Sequence, residues 1–333
     1  MKLLFGFILI LFVFAISCQN KGAEPLNSTL SLDSLLLKYP DSVNLLVKHG
    51  ELALTNFKYD IAIADAAKAF RLDSSRLDTR MLYADAICNN PAIQNADITK
   101  AQFHYQKLIK KDPKNIRALV GMAMTYTLRQ DFDNSFKYIN RALKINPRYR
   151  DAYILKGTNY RILGNLKLAI SSYETAVQQD PSFYGGYLML GALYESQKNS
   201  ICIEYYTTAA QLQPSNPDVL YSLAYSKQIF GKEKEATVIY RKMLKLDNKY
   251  FEANCQMGYI KQFIDKDLDS ALYFYNAALD IEPRHIEAYH NMGLIYEDKK
   301  DISNALLSYA KVLKYNPDFE LTKERVAVLK KQL

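Results

Sequence analysis

The stretch RHIEAYHNMGLIYEDKKDISNALLSYAKVLKYNPDF, residues 284–319, decides the fold. Its apolar residues recur at three- and four-residue steps over two segments, which is helical periodicity. The polar run EDKKDI separates the segments, and Pro317 closes the second because proline cannot continue the hydrogen-bond ladder. The same sentence recurs along the chain. Pro113, Pro147 and Pro181 are 34 residues apart, as are Pro283 and Pro317. A fixed period of that size signals a stack of repeated supersecondary units.

With each Pro at position 32 of a 34-residue unit, other positions fall into line. Position 8 is small: Gly50, Ala123, Gly157, Gly191, Ala224, Gly258 and Gly293. Position 11 is often Tyr: Tyr126, Tyr160, Tyr194 and Tyr296. Position 20 is mostly Ala, as at Ala62, Ala101, Ala169, Ala236, Ala271 and Ala305. Position 24 is mostly Tyr: Tyr105, Tyr173, Tyr206, Tyr240, Tyr275 and Tyr309. The small residues let two helices of a unit approach closely, and tyrosines fill the remaining space with phenols that need a partner or water. One such hairpin cannot bury its own apolar face, and a stack makes a continuous core.

This pattern resembles the tetratricopeptide repeat over nearly all of residues 43–319. The expected fold is all-α: a right-handed α-solenoid of about eight helix-turn-helix units and a C-terminal capping helix. The units are 43–76, 77–115, 116–149, 150–183, 184–216, 217–250, 251–285 and 286–319. The second carries about five extra residues around NNPAIQNAD, the fifth is one residue short, and the seventh is one residue long near its turn. ELTKERVAVLKKQL (320–333) reads as the cap, with Leu321, Val328 and Leu329 on one face and Lys323, Lys330 and Lys331 on the other. SLDSLLLKYP (31–40), within the segment 18–42, resembles half a unit and would seal the other end.

The N-terminus carries a different message. Lys2 is followed by an unbroken apolar run, Leu3 to Ile16. As a helix it would rise about 21 Å, short of the roughly 30 Å hydrocarbon core. Residues 1–17 therefore read as a secretory signal peptide. Ala15, Ile16 and Ser17 before Cys18 resemble a bacterial lipobox, which implies lipidation of Cys18 by acyl chains such as palmitate. Each buried CH₂ contributes about 0.8 kcal/mol to such an anchor. The expected location is the bacterial cell envelope, lipid-anchored on the periplasmic face or outer membrane. Residues 19–30, QNKGAEPLNSTL, read as a tether.

Composition narrows the function. The net charge is +8, from 43 Lys and Arg against 35 Asp and Glu, and loss of Lys2 with the signal peptide makes it one less. That is not the dense basic stripe of a nucleic-acid binder, and export argues against that partner. No phosphate loop, nucleophile elbow, H-E-x-x-H or C-x-x-C occurs. His285 and His290, five apart, do not share a helical face. DKDLDS (265–270) has Ser270 and Asn276 where a calcium loop needs Gly and Glu, so helix-capping aspartates account for it. Beyond Cys18, Cys88, Cys202 and Cys255 are three in number, with Cys202 at the small position 20; no disulfide, metal or cofactor is expected.

The resemblance implies that first helices line a groove through positions 2, 5, 9, 12 and 13. Position 5 is Val47, Val120, Ile154, Leu188, Tyr221, Cys255 and His290, and position 9 includes Tyr225 and Tyr259. Early and middle units would offer a smooth aliphatic face. Later units would offer Tyr221, Tyr225, Tyr259, Phe263 and His290, edged by Gln228, Gln262, Glu287 and Glu297. Rings give contact area at low entropy cost, so these residues suit an extended peptide or helix. A carboxylate clamp needs Asn at position 6 of adjacent units, and only Asn291 fits. AYSKQIF (224–230) and GYIKQFI (258–264) repeat Tyr at position 9, Lys at 11 and Gln at 12. The expectation is a non-enzymatic, membrane-anchored scaffold that binds proteins. A glycan- or solute-binding surface lipoprotein is the alternative, and an enzyme the remote one.

Overall fold

The computed structural model describes residues 31–331. The expectations of a signal peptide, a lipidated Cys18 and a tether fall on residues 1–30, outside the described residues. Regular structure among those described is helical throughout, and no helix is long and apolar enough to cross a membrane. The chain divides into two compact units, the first ending at Pro181 and the second beginning at Ser182.

The first unit holds α1 (Leu32–Lys38) and four hairpins. These are α2 (Val43–Thr55) with α3 (Tyr59–Leu72), α4 (Leu77–Cys88) with α5 (Asn95–Lys111), α6 (Ile116–Leu128) with α7 (Phe132–Ile145), and α8 (Arg150–Ile162) with α9 (Leu166–Gln179). Within it each second helix also packs on the next first helix, α3 on α4, α5 on α6 and α7 on α8. The second unit repeats the plan with α10 (Tyr184–Ser196), α11 (Cys202–Leu212), α12 (Pro217–Ile229), α13 (Glu233–Leu246), α14 (Phe251–Tyr259), α15 (Leu268–Ile281), α16 (Ile286–Asp298), α17 (Ile302–Tyr315) and α18 (Glu320–Lys330). Stacked hairpins of this kind are the α-solenoid architecture expected from the 34-residue period.

Local chemistry repeats with the period. First helices are followed by a left-handed residue in the turn: Phe57, Gln130, Gly164, Lys198, Gly231, Lys266 and Lys300 have φ between 54° and 76°. The next N–H then bonds back to the carbonyl of position 11, as Asp301 does to Tyr296 at 2.8 Å and Lys232 to Lys227 at 2.8 Å. Second helices begin on side-chain caps: Asp131, Asn165, Asp267 and Asp301 each accept an amide three residues on. Asp267, in the DKDLDS run, is thus a helix cap.

The small–large pattern has a direct geometric cause. A Cβ added at Gly157, Gly191, Gly258 or Gly293 would lie 2.3–2.7 Å from ring carbons of Tyr173, Tyr206, Tyr275 or Tyr309. The position-24 ring therefore lies flat on the backbone of the first helix. These rings are fully buried or nearly so, as are the alanines at position 20. The second hairpin, with its insertion, departs from the rule. Tyr105 reaches forward onto Gly121 of the next first helix, where an added Cβ would lie 2.4 Å away.

Three features go beyond the repeat pattern. The extra residue of the seventh repeat is taken up just ahead of the turn, inside the helix. It widens the end of α14 into a π-helical turn, Ile260–Ile264, where Asp265 N–H bonds the Ile260 carbonyl at 3.0 Å and Asp267 N–H the Lys261 carbonyl at 2.8 Å. On α18 Thr322 and Leu329 are buried and Val326 partly buried, while Leu321 and Val328 are exposed. Thr322 is the reason: it is small enough to bury, and its hydroxyl is 2.8 Å from His290 Nδ1. Finally, α1 is held by a histidine not singled out in the sequence. His49 bonds Asp33 of α1 at 3.0 Å and Asp65 of α3 at 2.6 Å.

Candidate partner-binding face

In the first unit the first helices α2, α4, α6 and α8 touch in succession. The aliphatic residues of position 5 serve that contact. Val47, Val120 and Ile154 are buried, as is Leu188 in the second unit, so they do not form the smooth open surface the resemblance suggested. An ionic cluster joins the first three hairpins at positions 2 and 9. Arg117 donates to Asp85 at 2.7 Å and to Glu51 at 3.0 Å, and Tyr105 donates to the other Asp85 oxygen at 2.6 Å. Burial raises the Asp85 carboxyl above its usual range, with Arg117 and Tyr105 pulling against it. This face of the first unit supplies its own counter-charges.

The second unit is built differently. Tyr221 and Tyr225, one turn apart on α12, stack with centroids 5.8 Å apart and planes 15° apart. Tyr259 and Phe263, at the π turn of α14, pack at 4.8 Å and are 43% and 36% exposed. Tyr221 and Tyr225 are half-buried, and burial pushes the Tyr221 phenol up to about 12. The structure therefore gathers these four rings on the first helices of two successive hairpins.

The two glutamines have another role. Gln228 accepts the Tyr240 hydroxyl at 3.0 Å and donates to Gln256 at 2.9 Å. Gln262 accepts the Tyr275 hydroxyl at 3.0 Å, donates to the Asn291 carbonyl at 3.3 Å and is only 4% exposed. They cap the position-24 phenols and link neighbouring first helices, so Gln262 is not a surface amide at the edge of a groove. The rule extends to its neighbours: Tyr206 donates to Glu195 at 2.9 Å, and Tyr309 donates to Glu297. Burial pushes the Glu297 carboxyl up, but Arg325, which donates to it at 2.9 Å, and Tyr309 together hold it below the usual range.

His290 is half-buried between Tyr309 and Phe319, with ring centroids 5.7 and 5.3 Å away. Burial, assisted by Arg325, pulls its imidazole below the ordinary value. It joins α16 to α18 rather than facing the four rings. Asn291 donates to the Tyr275 hydroxyl at 3.0 Å, so its amide is committed inside the fold. The lysines of the repeated Tyr-x-Lys-Gln words point to acids of their own hairpins: Lys227 pairs with Glu235, and Lys261 with Asp265 at 2.8 Å. Cys88, Cys202 and Cys255 are free thiols; burial pushes Cys88 and Cys255 up to about 12, far from nucleophilic thiolates.

Comparison with known proteins agrees with this geometry. The tetratricopeptide repeat model matches residues 116–149, 151–183 and 286–319, so the chain carries tetratricopeptide repeats. Among curated proteins, the human protein O-mannosyl-transferase TMTC3 is 23% identical over 285 residues, 80% of this chain and 31% of that protein. The human tetratricopeptide repeat protein 6 is 25% identical over 202 residues, 60% of this chain and 38% of that one. The chain spans about a third of the length of these relatives. Among solved structures, the C-terminal part of a TPR repeat-containing protein from Cytophaga hutchinsonii superposes with a TM-score of 0.61 at 19% identity, over 73% of this chain and 98% of that one. The pilF protein of Pseudomonas aeruginosa superposes at 0.52 with 17% identity, over 64% and 96%. At these identities the likeness concerns the fold alone.

Proposed function

We propose that the protein is a non-enzymatic scaffold that captures peptide or helical segments of other proteins on the first-helix face of its second unit. The observation that carries this reading is the pair of ring couples, Tyr221–Tyr225 and Tyr259–Phe263, of which Tyr259 and Phe263 remain open to solvent while the neighbouring position-24 phenols of Tyr240 and Tyr275 are already satisfied inside. Aromatic side chains with area to spare on a rigid helix face suit partner capture. Repeats of the tetratricopeptide type support the scaffold class. With the lipobox-like segment ahead of Cys18, the reading extends to an exported lipoprotein held at a bacterial envelope membrane.

The test is a photo-crosslinking amino acid placed at Tyr259 of the full chain in growing cells. A discrete crosslinked protein species, lost when Tyr225 and Phe263 rather than solvent-facing α13 residues are altered, supports the reading; crosslinking no greater than from Val238 on α13, which is 66% exposed, refutes it. Metabolic labelling with a fatty acid tests the anchor separately. Label on the wild type and none on Cys18→Ser is the expected result.

A further inference from the structure

We infer that the first-helix face of the second unit selects segments carrying lysine or arginine beside aliphatic residues, a specificity that rests on the peptide-capture reading above. Net charge points the other way, since the chain is basic overall. The local arrangement decides. Glu195 on α10 accepts the Tyr206 hydroxyl at 2.9 Å, and no lysine or arginine lies within ion-pair distance of it among the described residues. Glu252 on α14 has no ion pair either, and Glu287 on α16 has only the His285 imidazole at 3.5 Å. The two lysines on these same helices are occupied, Lys227 by Glu235 and Lys261 by Asp265. A line of carboxylates short of positive charge therefore borders the rings.

The electrostatics agree with that geometry. Burial raises the Glu195 carboxyl, and the Tyr206 hydrogen bond offsets this only in part. Tyr225 is raised by burial and then by Glu195 and Tyr259, and Cys255 by burial and then by Glu252 and its acidic neighbours. Both groups sense negative charge on this face. A cationic side chain laid over the Tyr221–Tyr225 stack would gain from the ring faces and from Glu195 and Glu252 together. Aliphatic neighbours in the same segment would cover the exposed Tyr259 and Phe263 rings. The first unit does not present Asp85 and Glu51 in the same way, because Arg117 already bridges them.

The experiment is selection of a random 15-residue peptide library on the full-length chain, followed by affinity measurement on the enriched peptides as synthesised. Expected are peptides whose binding needs Tyr225 and Tyr259, which are enriched in Lys and Arg, and which lose about tenfold or more in Kd when those cations become Gln. The Glu195→Gln/Glu252→Gln variant should lose a similar factor for the basic peptides, while the amide oxygen introduced on α10 still accepts the Tyr206 hydroxyl. Binding of the wild type should weaken with rising salt. Should the double variant lose its helical melt, the wild-type salt series decides alone, and affinity unchanged between about 50 and 500 mM KCl overturns the inference. Peptides that need Tyr225 and Tyr259 but show no basic bias overturn the specificity and leave the capture reading standing. A selection with no peptide dependent on Tyr225 and Tyr259 refutes both.

Discussion

Replacing Gly157 by alanine separates two physical accounts by sign. Intrinsic propensity favours alanine over glycine in a helix interior by about 1 kcal/mol. In the structure, however, a Cβ at Gly157 would lie 2.6 Å from both Cδ1 and Cε1 of Tyr173. Carbon atoms attract best at about 3.5–4.0 Å, so two ring carbons would be invaded by about 1 Å. The ring has nowhere to retreat: Tyr173 is 1% exposed and its hydroxyl is 3.1 Å from Thr158 Oγ1. Overpacking of this kind costs about 1–3 kcal/mol, and two clashing carbons place it toward the upper end. Net destabilisation of about 1–2 kcal/mol is expected, a fall of about 2–3 °C in Tm for a chain of this size. The assay is urea unfolding followed by helical signal at constant slope. A second arm removes the ring. In a Tyr173→Ala background the clash is gone, and Gly157→Ala should become stabilising by up to about 1 kcal/mol, a coupling of about 2 kcal/mol or more across the cycle. If Gly157→Ala is as stable as the wild type in both backgrounds, the account of the small position is wrong.

Three further outcomes follow from the described contacts. Gln262→Leu takes away the acceptor of the buried Tyr275 hydroxyl and one donor to the Asn291 carbonyl and should cost about 1–3 kcal/mol, whereas Lys261→Met, which removes ion pairs with the exposed Asp265 and Asp267, should cost less than about 1 kcal/mol; urea midpoints compare them. On the capping helix, Leu329→Ala should cost about 2–4 kcal/mol and Leu321→Ala under about 0.5, where one buried face would give similar costs for both. His104 packs edge-on against Phe70, Tyr83 and Phe103, and burial, then Arg80 and Lys100, pulls its pKa down to about 4. Because the folded value lies below the unfolded one, the unfolded chain binds the extra proton and stability falls as pH drops from about 6.5 to about 4. His104→Gln should therefore lose less stability than the wild type, by about 1–3 kcal/mol, between pH 7 and pH 4; an equal loss in both would refute it.

The hairpin architecture was legible because packing chemistry repeats where the period repeats. A ring must lie on a glycine, so Gly157 and Tyr173, or Gly293 and Tyr309, write their contact into the sequence at a constant offset. The position-12 residues are legible in the same way, although spacing alone reads Gln228, Gln262 and Glu297 as the edge of a groove and passes over Glu195. Glu195, Gln228, Gln262 and Glu297 each stand eleven to thirteen residues before a Tyr whose hydroxyl they accept, and a buried phenol without an acceptor was the question that would have found them. That no cation lies beside Glu195 among the described residues was beyond the sequence, since it rests on how the helices place their side chains. Nor could spacing show His49 joining Asp33 to Asp65, or Thr322 taking the buried place beside Leu329: each rests on how one helix is rotated against the next.

The buried phenols also set a ceiling on the alkaline side. Tyr105, Tyr173, Tyr206, Tyr240, Tyr275 and Tyr309 all have their ionisation raised, first by burial, and several donate to a carboxylate that would repel a phenolate. In the unfolded chain the same groups release their protons near pH 10. Above that pH the folded chain holds more protons than the unfolded one, so stability falls as pH rises, by up to about 1.4 kcal/mol per pH unit for each phenol that stays protonated in the fold. Against a native margin of about 5–15 kcal/mol, several such phenols should unfold the helices at alkaline pH, in a release of protons that ultraviolet absorbance of tyrosinate would record together with the loss of helix.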